Sequence, residues 1–533
     1  MTYLDETANI IDHKEKEEKF IEMLSILLIK INEIAKEGDF YEVADNLFSA
    51  AYYMEEFDFK EAKQIYTQSI EYYEKYMYEL QKQGKFEEAS WIANQIAEIY
   101  YNKLNNKTGE KRYILKCIDY NNALIELLNG FSNTRKLAII SYNLGELYLK
   151  IEDWDNAIDT FSAALVISKN ERFYDITANI YYNLSDIYLL LGKESNSIDL
   201  LEEADKYFKS EEKKIIKRND NYSLSQIYQI LKNLNASLNK PSEYRKFSRN
   251  EAVAYIRLAK ENLKQQMDYH KIASLYRGAG LCFKDTETDF LEGASSFVIA
   301  GNIFENCNEF TESSLCYNDA AELYEHLKIY DKVIKLYIQA ANHALKEMNY
   351  EFAIEKLMNG FNLAEIKNFK EYYGLIADRI KKNLLAMSKI QVKEEKYFIA
   401  GTLLLEMLPY YRKTGFSMNS NEVKSILKQI YHYYQKEYNN DYNNGKSSTL
   451  AYIRALTALS QIALGNYDNA DQIITDLKVN NSKIIQAYKK IIKEMLNAVR
   501  SNTVFDLSDL DENVKKVYSN AEEIKLFNNL IFY

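Results

Sequence analysis

The chain has 533 residues, of which only 2 are proline and 16 glycine. Strands joined by tight turns need glycines at positive φ and prolines at turn starts, so this composition excludes sandwiches, Rossmann-type enzymes and other sheet folds and points to helices. With 67 basic and 78 acidic residues the net charge is −11, whereas phosphate backbones call for clustered Lys and Arg, so nucleic acid is not an expected partner.

In chain order, Met1 to Lys19 lacks a basic stretch followed by an apolar one, and the apolar run Ile26 to Ile29 is too short to cross a bilayer. The expectation is a cytoplasmic protein with at most peripheral membrane association. Phe40, Phe59 and Phe86 open amphipathic helices. From Thr134 a register of twenty residues sets in, with Thr134, Trp154, Tyr174 and Glu194 as block starts. Seven residues on come Ser141, Phe161, Tyr181 and Leu201, and fourteen on come Tyr148, Ser168, Tyr188 and Phe208.

The register breaks between Lys209 and Arg249, where a charged run and the Asn239-Lys-Pro241-Ser-Glu turn flank a bridging helix over Tyr222 to Leu238. Tyr269 opens the next helix, and the twenty-residue period returns at Phe290, Phe310, Tyr330 and Tyr350, with Phe369 one residue early. Offset seven gives Phe297, Tyr317, Tyr337 and Leu357; offset ten gives Ala300, Ala320, Ala340 and Gly360. Offset fourteen gives Phe304, Tyr324, Ala344 and Ala364, while small or apolar residues hold offset three. At 100° per residue these positions form one stripe, so each block is an amphipathic helix of about fifteen residues and a short turn. Two blocks make an αα-hairpin of about forty residues, and small residues at offset ten let the next helix approach while aromatics fill the space around it. A lone hairpin cannot bury its stripe, so the chain is read as an elongated, curved α-solenoid. Pro409 is expected to kink or end its helix. Asn439 to Ser448 reads as a polar loop, and Gly465-Asn-Tyr467 repeats the turn-then-helix signature.

Chemistry-bearing patterns are missing. The five histidines form no HExxH, and Cys117, Cys282, Cys307 and Cys316 form no CxxC and read as small core residues of a reducing compartment. Cys316 and His326 lie ten residues apart in one helical block, which hairpin packing explains without a metal. Phosphate-binding glycine loops and a GxSxG elbow are lacking, and Arg277-Gly-Ala-Gly280 reads as helix-packing glycine. The expectation is a protein that is not an enzyme and carries no cofactor and no metal.

The stretch Phe290-Leu-Glu-Gly-Ala-Ser-Ser-Phe297-Val-Ile-Ala300-Gly-Asn-Ile-Phe304, continued by Cys316-Tyr-Asn-Asp-Ala-Ala-Glu-Leu-Tyr324, resembles the repeat of the soluble NSF attachment proteins (SNAPs). These are tetratricopeptide-like adaptors with hairpins of about forty residues. The resemblance is clearest over 250–380. It implies an all-α, right-handed α-solenoid of αα-hairpins with a C-terminal helical bundle. The domains expected are an N-terminal tetratricopeptide-like segment over 1–210, a linker and bridging helix over 211–248, a SNAP-like segment over 249–445 and the bundle over 446–533. It further implies a monomeric adaptor in membrane trafficking, linking a coiled-coil or helical-bundle client to an AAA ATPase through an acidic C-terminal end. The nearest acidic cluster is Asp506, Asp509, Asp511 and Glu512. The chain departs from that family in its length, in its Asn-Leu530-Ile-Phe-Tyr533 ending and in Val499-Arg500, where the family tends to carry acids. The alternative is a general tetratricopeptide scaffold or peptide-sensing regulator. A basic concave stripe with an acidic end marks the first reading, and a groove lined by aromatics and asparagines marks the second.

Overall fold

The computed structural model describes residues 31, 34–56, 60–128, 134–417, 420–444, 447–475, 483–507 and 510–532. Every regular element among them is a helix. The chain divides into two compact units, Met1–Tyr244 and Arg245–Tyr533.

The first unit holds α1 (Phe40–Glu56), α2 (Ala62–Lys82), α3 (Phe86–Asn102), α4 (Lys107–Leu128), α5 (Thr134–Lys150), α6 (Trp154–Glu171), α7 (Tyr174–Leu190), α8 (Glu194–Arg218) and α9 (Asn221–Ser237). The boundary falls within α10 (Pro241–Lys264), whose first residue is the proline, at the helical position where a missing N–H costs nothing. In the second unit follow α11 (Tyr269–Asp285), α12 (Phe290–Asn306), α13 (Phe310–His326), α14 (Tyr330–Lys346), α15 (Tyr350–Lys367), α16 (Lys370–Lys393), α17 (Tyr397–Lys413) and α18 (Asn421–Asn444). The chain then forms α19 (Ser447–Ala463), α20 (Tyr467–Thr475), α21 (Lys483–Arg500), α22 (Glu512–Ser519) and α23 (Glu522–Phe532). Within each unit the packing runs mainly between helices adjacent in the chain, which makes the fold an all-α solenoid of helical hairpins.

The period of twenty is a helix of 17 residues and a turn of three. In each turn the middle residue is left-handed, at Asn308, Lys328 and Met348, and the last residue donates its N–H back into the helix. Glu309 N reaches Phe304 O at 2.9 Å, Ile329 N reaches Tyr324 O at 3.0 Å and Asn349 N reaches Ala344 O at 2.9 Å. This six-to-one closure satisfies a terminal carbonyl and ends the helix without glycine. It explains how so many turns coexist with so few glycines.

The register places the core as expected. Phe297, Ala300, Ala320, Ala340 and Leu357 are 0% exposed, and Ser313, Val333 and Ala353 at offset three are equally buried. Ser314 Oγ donates to Ala340 O at 2.7 Å, a contact that only a small residue at offset ten leaves room for. Gly280 lies under the ring of Phe297, where a Cβ would meet ring carbons at 2.8 Å, so it is indeed a packing glycine.

Two local expectations are corrected. The helix containing Pro409 does not end there but runs on to Lys413, with Leu404, Leu405, Met407, Leu408 and Tyr410 buried around the proline. Residues 439–444, read as loop, continue α18: its stripe Val423, Leu427, Ile430 and Tyr434 is buried, and Gln435 Nε2 donates to Asn439 Oδ1 at 3.1 Å across one helical turn. The register of twenty is lost at the charged run from Lys209 because α8 continues through it to 25 residues, with Glu211 buried between the Tyr174 hydroxyl at 3.0 Å and Lys214 Nζ at 2.5 Å. Phe59 lies outside the described residues.

At the C-terminal end the order is not sequential. Glu523 of α23 accepts a hydrogen bond from the Tyr452 hydroxyl of α19, and Arg412 of α17 donates to Asn529 O at 3.2 Å. Ile524 and Phe527 of α23 are fully buried in this cluster.

Candidate functional site

A groove runs through the first unit between α3 and α5, with α4 as its floor. On α3, Glu87, Trp91, Asn94, Glu98 and Tyr101 recur at helical spacing and so share one face. On α5 the matching face carries Lys136, Ile139, Asn143, Glu146 and Lys150. These positions lie between those of the buried stripe, so they look away from the core. The floor is Cys117, Asn121 and Leu124. One cavity of about 680 Å³ spans these elements, and a second of about 650 Å³ adjoins it, the two sharing Asn94 and Lys150.

The floor is built and satisfied. Asn121 is 7% exposed and its Nδ2 donates to Ser90 Oγ and to Cys117 O, each at 2.8 Å. Burial pushes the Cys117 thiol up to about 12, so it stays protonated and inert at neutral pH. The walls are open. Trp91 is 51% exposed, Tyr101 56% and Ile139 39%. Lys136 closes one end by pairing with Glu87 at 2.5 Å, and Lys150 Nζ stands 3.5 Å from Asn94 Oδ1. Asn94 Nδ2 donates to Glu98 at 2.9 Å, whereas the exposed Asn143 amide makes no hydrogen bond among the described residues. The two walls differ in charge: α3 contains no lysine or arginine, and α5 carries Arg135, Lys136 and Lys150 against Glu146.

The acidic residues singled out from the sequence sit elsewhere, in the second unit. Asp511 caps α22, accepting from Val514 N at 3.0 Å, and lies 3.0 Å from Lys490, whose ammonium holds its carboxyl below the usual carboxylate range. Glu512 is exposed and 3.1 Å from Lys515, and Asp506 is exposed in the segment before α22. Asp509 lies outside the described residues. The sequence signal for the groove was available but unused: Asn143 and Asn183 stand at offset nine of their blocks, forty residues apart, on a face that the search for core positions ignores.

One buried constellation has the residue types of a nucleophile, a base and an acid. His343 Nδ1 is 2.8 Å from Ser313 Oγ and Nε2 is 3.1 Å from Glu305 Oε1. Ser313, however, is 0% exposed and also reaches Gly301 O at 2.8 Å, so no substrate meets it. The chain of bonds ties α12, α13 and α14 together, and burial holds the His343 imidazole below its ordinary pKa. Among the described residues no group of three or more His, Cys, Asp or Glu is placed to hold a metal ion, and no helix is long and apolar enough to cross a membrane.

A family model described as tetratricopeptide repeat matches residues 136–206, which span α5 to α7 and the first half of α8. No curated protein matches the chain. Among solved structures, the chain is similar to a Signal Transduction ATPase with Numerous Domains carrying a tetratricopeptide repeat sensor, from Pyrococcus horikoshii. The identity is 17% over 75% of this chain, with a TM-score of 0.30, and the match spans 52% of that protein, about half its length. A Rap protein complexed with Competence and Sporulation Factor is 16% identical over 65% of this chain and 98% of its own, with a TM-score of 0.21. The quorum sensor NprR from B. thuringiensis is 13% identical over 81% of this chain and 96% of its own, with a TM-score of 0.18. The fold is a tetratricopeptide-type helical solenoid. The family match supports that repeat and does not single out the soluble NSF attachment proteins.

Proposed function

We propose that the chain is a non-catalytic interaction scaffold whose α3–α5 groove binds a short extended segment of a protein partner. The observation that carries this reading is the pairing of Asn94 and Asn143 on facing helices beside the exposed Trp91, Tyr101 and Ile139. An extended peptide brings unpaired N–H and C=O groups, and a carboxamide offers both a donor and an acceptor to one peptide unit. The aromatic and aliphatic wall takes side chains, and helices packed on both sides keep the groove preformed, which lowers the ordering cost of binding.

The chain has two tryptophans, Trp91 and Trp154. A Trp154→Phe protein therefore reports on the groove alone. Pools of acetylated hexapeptides are expected to change Trp91 emission, and Asn143→Ala is expected to weaken the best pool by about tenfold, the worth of a hydrogen bond lost from a bound peptide. No response from any pool sinks the reading.

A second reading is the SNAP-like adaptor that presents Asp506, Asp509, Asp511 and Glu512 to an AAA ATPase. Its support is the exposure of Asp506, Asp511 and Glu512, set against the pairing of two of them with Lys490 and Lys515. Its test is a pull-down in which reversal of these four charges abolishes recovery of an ATPase. Recovery unchanged by the reversal removes the reading.

A further inference from the structure

Next to Trp91, three helices bring aromatic rings together. Tyr41 of α1 is the hub: its ring centroid lies 5.5 Å from Tyr76 and 6.1 Å from Tyr73, both on α2, and 6.1 Å from Trp91 on α3. Tyr41 and Tyr76 are half-buried and Trp91 is exposed, so the cluster has an open side. Asp45 stands four residues after Tyr41 on α1 and Glu79 three after Tyr76 on α2, so each shares the helix face of its ring. Burial first, and then Asp45 for Tyr41 and Tyr73 and Glu88, Asp39 and Glu79 for Tyr76, raise each phenol above its ordinary pKa.

Among the described residues no cation lies over these rings. Elsewhere in the molecule lysines lie over tyrosine rings repeatedly: Lys75 over Tyr72 and Lys82 over Tyr78, both at 4.2 Å, Lys436 over Tyr397 at 4.1 Å and Lys367 over Tyr330 at 4.3 Å. No described lysine or arginine is recorded over Tyr41, Tyr76 or Trp91, and neither α1 nor α3 contains a basic residue at all. Lys85 reaches Glu88 at 4.0 Å, and no ion pair is recorded for Asp45 or Glu79. Aromatic faces attract a cation through their quadrupole, and neighbouring carboxylates deepen that potential without filling the site.

We infer that Tyr41, Tyr76 and Trp91, with Asp45 and Glu79 beside them, form a recognition site for a cationic side chain, arginine or lysine, of the segment bound in the α3–α5 groove. The inference rests on the groove reading for the rest of that segment, since Trp91 belongs to both. It gives the bound segment a polarity: the basic residue lies toward α1, over the acidic wall, and an acidic or carboxyl-terminal group lies toward Lys136 and Lys150 of α5.

The test uses the full-length Trp154→Phe protein, with Nα-acetyl-arginine methylamide as probe and Nα-acetyl-norleucine methylamide as its uncharged counterpart. The arginine compound is expected to alter Trp91 emission at a concentration about tenfold below that needed with norleucine, and to lose the advantage as salt rises. Asp45→Asn with Glu79→Gln, which keeps every ring and changes little volume, is expected to weaken the arginine response about fivefold, and Tyr76→Leu to do the same. Circular dichroism confirms that both variants stay helical. Equal responses to the two compounds, or no response to either, overturn the inference. The hexapeptide pools separate the two readings: pools that bind without preference for Arg or Lys at any position leave the groove standing and refute the cation site. An arginine response without any pool binding leaves the cation site standing and refutes the groove.

Discussion

Met348 shows how single residues carry the repeat. It occupies the left-handed position of its turn at φ 58° and is 77% exposed, so it packs against little while its Cβ crowds the backbone. Left-handed geometry costs an ordinary L-residue about 1 kcal/mol relative to glycine, so Met348→Gly is expected to stabilise the protein by roughly that amount, read as a higher denaturant midpoint. His343 makes the opposite kind of contribution. Its folded pKa lies below the ordinary value because the ring is buried among Phe310, Tyr317 and Ser313, with Glu305 and Lys346 at its rim. Above a pH of about 6.5 the imidazole is neutral in both folded and unfolded chains. As pH falls below that value the unfolded chain takes up the proton first, so this residue removes stability on acidification until the folded pKa is passed. Wild type is therefore expected to lose more stability than His343→Gln between pH 7 and about 5, measured by urea melts of both proteins. Equal losses would show that the ring is freely protonated where it sits.

Helices meet through the small residues at offset ten, and these contacts are the strictest in the molecule. Ala340 is 0% exposed and its carbonyl accepts from Ser314, which fixes how near α13 and α14 come. Ala340→Leu forces three extra carbons into that contact and is expected to cost about 1–3 kcal/mol by overpacking. A melt indistinguishable from wild type would mean that the register is misassigned. The spacing of this register was legible because each helix repeats the same demand: one face buried against neighbours on two sides. The end of α18 was not, because an asparagine-rich run reads as loop locally although the helix continues through it. The local role of Asp511 was hidden for a related reason. As one acid among four it resembles a surface patch, and only the position of Val514 N reveals it as a helix cap.

In a stack of neighbour contacts, damage stays near its source. Phe527 is fully buried where α23 folds back on the helices before it. Phe527→Ala is expected to cost about 3–5 kcal/mol locally. Amide hydrogen exchange should speed in α17 and α19 to α23 and stay unchanged in α1 to α9. Faster exchange throughout would show that the chain unfolds as a single cooperative body.

By itself the amino-acid sequence determined the helical class, the positions of most helix starts, the twenty-residue period and the buried stripe, since each of these follows from spacing within one or two turns of helix. It also left two functional readings, distinguished by an acidic end or by an asparagine- and aromatic-lined groove. Only the tertiary structure decided which residues face one another across helices. Asn94 and Asn143 are 49 positions apart and Tyr41 and Trp91 are 50 apart, neither a multiple of the twenty-residue period, because the turns and helices between them differ in length. Burial is a local and periodic demand that recurs in every block, whereas a binding face is made by the rotation and approach of particular helices, so that a recurring asparagine at offset nine does not by itself say which residues it will face.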